Sequence, residues 1–135
     1  MPKAFLDTNV LAYAADCSLP DKQSRARSLL RELAENSTGV VSTQVLQEFY
    51  VTATKKLGID PLQAKDMVRA FGHYEVVTIT PGLIGEAIDC SLLAQLSFWD
   101  ALIVVAAESA RCSQLWTEDL NDGQIIRGVR VRHPF

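Results

Sequence analysis

The sequence predicts an α/β fold: a three-layer α/β/α sandwich built on a five-stranded, mainly parallel sheet. Two observations carry that expectation. Five short apolar or β-branched runs recur along the chain, of the kind suited to strands of a sheet covered on both faces. Stretches with the 3.6-residue apolar spacing of helices separate the first four, and alternation of this kind implies crossover connections and parallel pairing. No repeat, low-complexity segment or linker divides the 135 residues, which suffice for one domain, 1–135, with a substantial core.

Ala4–Leu6 reads as the first buried strand, and residues 9–15 as a short helix. Leu19-Pro20-Asp21 marks a turn, after which residues 22–34 place Ala26, Leu29, Leu30 and Leu33 on one helical face. Residues 36–39 break that helix and Val40-Val41 forms the second strand. Ser42 or Thr43 then caps a helix running to Leu57, with Gly58 as its C-cap residue. Asp60 and Pro61 are a favoured cap and first-position pair for a helix to Phe71. Residues 75–79 are strand-like, Thr80-Pro81 opens a helix to Leu96, and Ser97 caps the last long one, residues 98–111. Residues 114–117 and 129–131 supply the final two strands.

The composition is that of an ordinary globular protein, 48% hydrophobic and 21% charged. The N-terminus lacks a signal-type apolar segment, and the longest apolar run, Ala101–Ala107, is far short of a membrane span. Cys17, Cys90 and Cys112 are odd in number and form no CxxC pair, which suggests reduced cysteines and a cytoplasmic protein. The net charge of −3 does not advertise a nucleic-acid partner. If several acids gather around cations, however, the remaining surface is near neutral. Arg127, Arg130 and Arg132, or Arg25, Arg27 and Arg31, are then candidates to hold phosphates.

Four acids stand where a polar group is locally unexpected. Asp7 follows the first strand; its alternative role is to cap the next helix, which Thr8 or Asn9 would do equally well. Glu48 lies at the border of the apolar stripe of Val45, Leu46, Phe49, Ala53 and Leu57. Asp100 falls in the first turn of a helix apolar all round, in a Ser97-Phe98-Trp99-Asp100 stretch with capping-box spacing. Asp119 follows the fourth strand, where Thr117 and Asp119 project to the same side of an extended segment; Asp122 is a second candidate in that loop. Asp7 and Asp119 both fall at carboxyl ends of strands, the functional edge of such sheets.

Carboxylates near an apolar core need a compensating charge, and no interleaved Arg or Lys supplies it. A divalent cation does, and hard cations such as Mg²⁺ and Mn²⁺ take oxygen ligands. Such a cation activates water for in-line attack and offsets charge on phosphorus. No nucleophilic side chain is then required. The chain accordingly shows no His-based triad, His73 lying in a turn and His133 in the tail.

The segments Phe5-Leu6-Asp7-Thr8-Asn9-Val10-Leu11, Gln47-Glu48-Phe49, Phe98-Trp99-Asp100-Ala101-Leu102-Ile103 and Trp116-Thr117-Glu118-Asp119-Leu120 together resemble the PIN domain, specifically the VapC-type toxins of toxin–antitoxin pairs. Their order and spacing cover essentially the whole chain. The resemblance implies an α/β/α fold with a five-stranded parallel sheet and a Mg²⁺- or Mn²⁺-dependent ribonuclease. It makes Asp7, Glu48, Asp100 and Asp119 the metal-binding acids, with Thr117 and Asn9 orienting them or the attacking water. It also implies a homodimer, with the helices between Thr43 and Phe71 as a surface, and inhibition by a small antitoxin whose tail enters the groove. A haloacid-dehalogenase-type phosphatase would need an acid where Asn9 stands, and a receiver domain would need paired N-terminal acids. The remaining alternative is a PIN-like module that binds RNA or protein without efficient catalysis.

Overall fold

A computed structural model describes residues 2–135; Met1, the first residue of the expected domain, lies outside them. The elements follow in the order β1 (Ala4–Leu6), α1 (Thr8–Ala15), α2 (Pro20–Glu35), β2 (Gly39–Ser42), α3 (Thr43–Val51), a π-turn (Thr52–Lys56), α4 (Pro61–Phe71), β3 (Glu75–Val77), α5 (Pro81–Ala94), α6 (Phe98–Ser109), β4 (Gln114–Trp116), β5 (Ile125–Ile126) and β6 (Val129–Arg132). They form one sheet in the order β3-β2-β1-β4-β6-β5. Every pairing is parallel except that of β5 with β6.

The five expected strands are therefore present and mutually parallel, and a sixth is added at the edge. Its source is a two-residue hairpin: Arg127 and Gly128 both have positive φ (50° and 79°) between Ile126 and Val129. That is the backbone of a tight primed turn, in which glycine adopts positive φ freely. The sequence signal was weak because Arg, not Asn or Asp, holds the first turn position.

Local chemistry explains most boundaries. Ser42 Oγ accepts the Val45 N–H, Thr80 Oγ1 that of Leu83 and Ser97 Oγ that of Asp100; Asp60 Oδ2 accepts from Leu62 and Gln63 ahead of Pro61 at the first helical position. The helix expected to run from residue 43 to 57 departs from α geometry in its last turn. Leu57 N–H bonds Thr52 O, five residues back, while Ala53 O accepts from Ile59 N–H and Thr54 Oγ1 donates to the Tyr50 carbonyl. Gly58, at φ 68°, then ends it.

α6 is the core helix, with Ala101–Ala107 all buried, and it lies along β2, β4 and β6 while packing against α5. α1 packs on α2 and α3, and α3 on α4. Phe5, Leu6, Val40, Val41 and Leu115 fill the centre from the sheet. No single helix among the described residues is long and apolar enough to cross a membrane.

Candidate active site

The register of the two central strands builds the site. Leu6 of β1 pairs with Trp116 of β4, and the ladder continues as Asp7 N–H bonds Trp116 O. Asp7 and Thr117 thus leave adjacent strands side by side, although they are 110 residues apart in sequence. Thr117 Oγ1 donates to Asp7 Oδ2 at 2.8 Å and accepts from Asn9 Nδ2 at 3.2 Å and from the Asp119 N–H at 3.1 Å. Asn9 Nδ2 also donates to Asp119 Oδ2 at 3.1 Å. One hydroxyl therefore organises Asp7, Asn9 and Asp119, and both of its lone pairs are used.

Asp7 is also the N-cap of α1, its Oδ1 accepting the Thr8 N–H at 2.7 Å, so capping and placement at the strand end are a single arrangement. The helix starts at Thr8, one residue earlier than the sequence suggests. That frees the Thr8 side chain: its hydroxyl donates to Glu48 Oε1 at 2.7 Å. Glu48 sits half-buried at the stripe border, as expected, and Gln44 Nε2 holds its other oxygen at 3.4 Å. The same Gln44 nitrogen donates to the Trp99 carbonyl at 3.3 Å. Asp100 is half-buried in the first turn of α6, where Ser97 caps its backbone and leaves its carboxylate free.

The acids sense one another. Asp7 is only 6% exposed, and burial pushes its pKa from 3.8 up to about 7. The charges of Asp119 and Glu48 push the same way, and the hydrogen bonds from Thr117 and Thr8 oppose them. Asp119 is raised mainly by partial desolvation, with the Asp100 charge adding to it and Asn9 countering. Asp7 is thus coupled to Glu48 and Asp119, and Asp119 to Asp100. Among the described residues no ion pair involves any of the four; the basic groups go to Glu75, Glu86, Glu108 and Glu118.

The donor set fits a hard cation. It consists of oxygens, carries excess negative charge, and includes Asn9 Oδ1, which is buried without a partner. Among the described residues no three acids converge into a closed metal cage. Mg²⁺ does not need one, because it keeps several waters and takes one or two carboxylates directly.

Other expectations change. Asp122 accepts the His133 N–H at 2.8 Å and so ties the loop to the C-terminal tail. Arg127 is committed to Glu86 and Glu108, Arg25 and Arg27 donate to the carbonyls of Pro134 and Ala14, and Arg132 stacks over the Trp116 ring at 5.1 Å. Arg127 is therefore engaged by carboxylates, whereas Arg25, Arg27 and Arg132 keep guanidinium N–H groups for other acceptors. Conversely, Thr8 and Gln44 escaped the sequence reading. The spacing of Gln44 and Glu48, four apart on one helix face, was the available signal.

Residues 4–122 match the sequence profile of the PIN domain. The chain belongs to the PIN domain family. Its fold is shared by a chain of a toxin–antitoxin complex from Klebsiella pneumoniae (22% identity, TM-score 0.72, 98% of each chain covered) and by one of the DNA-bound VapBC of Salmonella typhimurium (20%, 0.71, 100% of each). Mycobacterium tuberculosis VapC20, a sarcin–ricin loop cleaving toxin, is similar over 84% of this PIN domain and 87% of that chain (16%, 0.63). No curated protein matches it in sequence.

Proposed function

We propose that this PIN domain, one nuclease unit spanning residues 1–135, is a Mg²⁺- or Mn²⁺-dependent endoribonuclease acting as the toxin of a toxin–antitoxin pair in the cytoplasm. The observation that carries the reading is the buried Asp7 carboxylate, linked through Thr117 to Asn9 and Asp119 at the carboxyl end of the central strands, with no cationic side chain to balance it. Asp7, Glu48, Asp100 and Asp119 hold the cation. When bound, it supplies an activated water and offsets the charge that builds on phosphorus. Thr117 fixes the direction of Asp7, Asn9 and Asp119; Thr8 and Gln44 fix Glu48. Preorganised donors of this kind need no rearrangement during the reaction.

The toxin assignment is supported by family membership and by fold neighbours that are themselves toxins or parts of toxin–antitoxin complexes. On this reading a small antitoxin covers the carboxylate groove. Two copies of the chain pair through α3 and α4, where Tyr50, Val51 and Leu62 are exposed.

The test is incubation of the partner-free protein with a pool of structured RNAs under Mn²⁺, Mg²⁺ or EDTA. Cleavage is expected with either metal, none with EDTA, and none from Asp7→Asn or Asp100→Asn, both of which stay folded. Undiminished cleavage by both variants would remove the proposed site. A folded wild type that binds RNA but leaves it intact under both metals would replace the nuclease with a binding module.

A further inference from the structure

Two grooves flank the carboxylates, and their chemistry differs. The first, about 520 Å³, runs past Glu48 and is walled by Gln44, Gln47, Val51 and Trp99. The second, about 380 Å³, runs past Asn9 and Asp119 and includes Lys56. Thr8 and Thr52 line both, so the grooves meet at the site. Lys56 and Thr52 both belong to the π-turn that ends α3, a distortion that recurs at functional sites.

The first groove contains neither lysine nor arginine, and its one formal charge is that of Glu48. It is therefore unsuited to phosphate. What it offers is the Trp99 ring, 61% exposed beside a carboxylate site and adjacent in sequence to Asp100. An open indole beside a polar groove offers a flat apolar face, and nucleobases stack on aromatic rings in a sequence-tolerant way. The ring is also held in place. Phe98 packs edge-on at 5.1 Å, and Gln44, itself 5% exposed, uses both amide hydrogens to join the Trp99 carbonyl to Glu48. Both partners are acceptors, which sets the amide orientation and leaves Gln44 Oε1 buried without a donor. The backbone that carries the ring and the Glu48 carboxylate are thus both held by one side chain.

We propose that the Trp99 groove is the subsite for an unpaired RNA base next to the cleaved phosphodiester, with Gln47 at its open edge and Gln44 as the positioning residue that couples it to Glu48. This rests on the ribonuclease reading for its location, and on the ring and its anchoring for its content. The strand then runs from the Trp99 groove, whose one charge is Glu48, across the acids, into the groove where Lys56 stands among Asp16, Glu118 and Asp119. Stacking of a base on an aromatic contributes about 1–3 kcal/mol, a factor of roughly 5 to 150 in affinity.

The test separates binding from cleavage. Tryptophan fluorescence is titrated in EDTA with the four homopolymeric 12-nucleotide RNAs. RNA should quench wild type and Trp116→Phe but not Trp99→Phe, because the responding indole is Trp99. Trp99→Ala should bind the preferred homopolymer about 5- to 150-fold more weakly by anisotropy, and Trp99→Phe within a few-fold of wild type. Cut-site mapping on the RNA pool with Mn²⁺ should show Trp99→Ala losing preference at the base beside the cut while still cleaving. Equal affinity of Trp99→Ala and wild type, or a quench that belongs to Trp116, would overturn the proposal. So would an indole silent to all four RNAs, which would leave the ring to a protein partner. Because the titrations contain no metal, Trp99-dependent quenching without cleavage would defeat the nuclease reading and the placement of the base beside a cut, leaving only the stacking of a base on Trp99. Cleavage with unchanged preference in Trp99→Ala would do the reverse.

Discussion

Two demands oppose each other at the carboxylate of Asp7. Burial favours its protonated form, whereas the cation binding proposed for it requires the charged form. In the unfolded chain it titrates near 3.8, but in the fold it keeps its proton until about pH 7. The folded state thus binds more protons across that window, and stability falls as pH rises from about 4 to about 7. The loss is on the order of 2–4 kcal/mol at most. In EDTA the Tm should decline between pH 5 and pH 8; Asp7→Asn should flatten that decline, and Mn²⁺ at pH 8 should reverse it for wild type. Parallel wild-type and variant profiles would show that Asp7 does not carry the linkage. Thr117 yields a second expectation. Thr117→Val strips one donor and one acceptor from three neighbours, for a loss of about 1–3 kcal/mol and at least tenfold in cleavage. Thr117→Ser should keep both, so equal losses in the two variants, read by thermal melts and initial rates, would rule out the hydroxyl as organiser.

Among the elements, Gly39 at the start of β2 is the tightest position away from the site. A Cβ there would lie 2.5 Å from the Tyr74 ring, which cannot simply swing away because its hydroxyl donates to Leu30 O at 2.7 Å. Gly39→Ala should therefore cost about 1–3 kcal/mol, a Tm drop of roughly 5–10 °C, while cleavage at a permissive temperature is unchanged. An unaltered Tm would show that the ring yields freely. Which features were legible in the sequence follows from what each one depends on. Caps at Ser42, Asp60, Thr80 and Ser97 are local chemistry, and all four were readable from residue type and position. The β5 strand and the π-turn were not, because each depends on backbone bonding that any of several side chains permits. At the site, Asp7 and Asp119 were placed by strand order alone. Glu48 was half-legible: its border position was visible, but the Thr8 and Gln44 bonds that aim it depend on how α1 meets α3. Arg127 misled because surface charge does not reveal its own partner.

For the whole molecule, net charge and topology act together. On the proposed function, a chain of charge −3 gains little long-range attraction for RNA, so few phosphates should be neutralised on binding. Affinity for single-stranded RNA in EDTA should accordingly fall less than tenfold between 50 and 200 mM salt, as measured by anisotropy. A fall of a thousandfold or more would reveal a basic surface that −3 conceals. The sheet order makes β1 central and pairs it on one side with β4, so the middle of the sheet joins segments far apart in sequence. Such non-local pairing folds slowly relative to helical packing.

The 110-residue separation of Asp7 and Thr117 has a consequence during synthesis. Asp7 is made before its hydroxyl partner, which follows only after roughly 5–20 s of elongation. Until then the nascent chain has neither the central strand pair nor the Thr117 link between Asp7 and Asp119. Assembly of the proposed site is therefore timed by the order in which the strands emerge. Nascent chains arrested at residue 113 should be protease-sensitive and leave RNA intact, and protection should appear once β4 and the segment beyond it have been released.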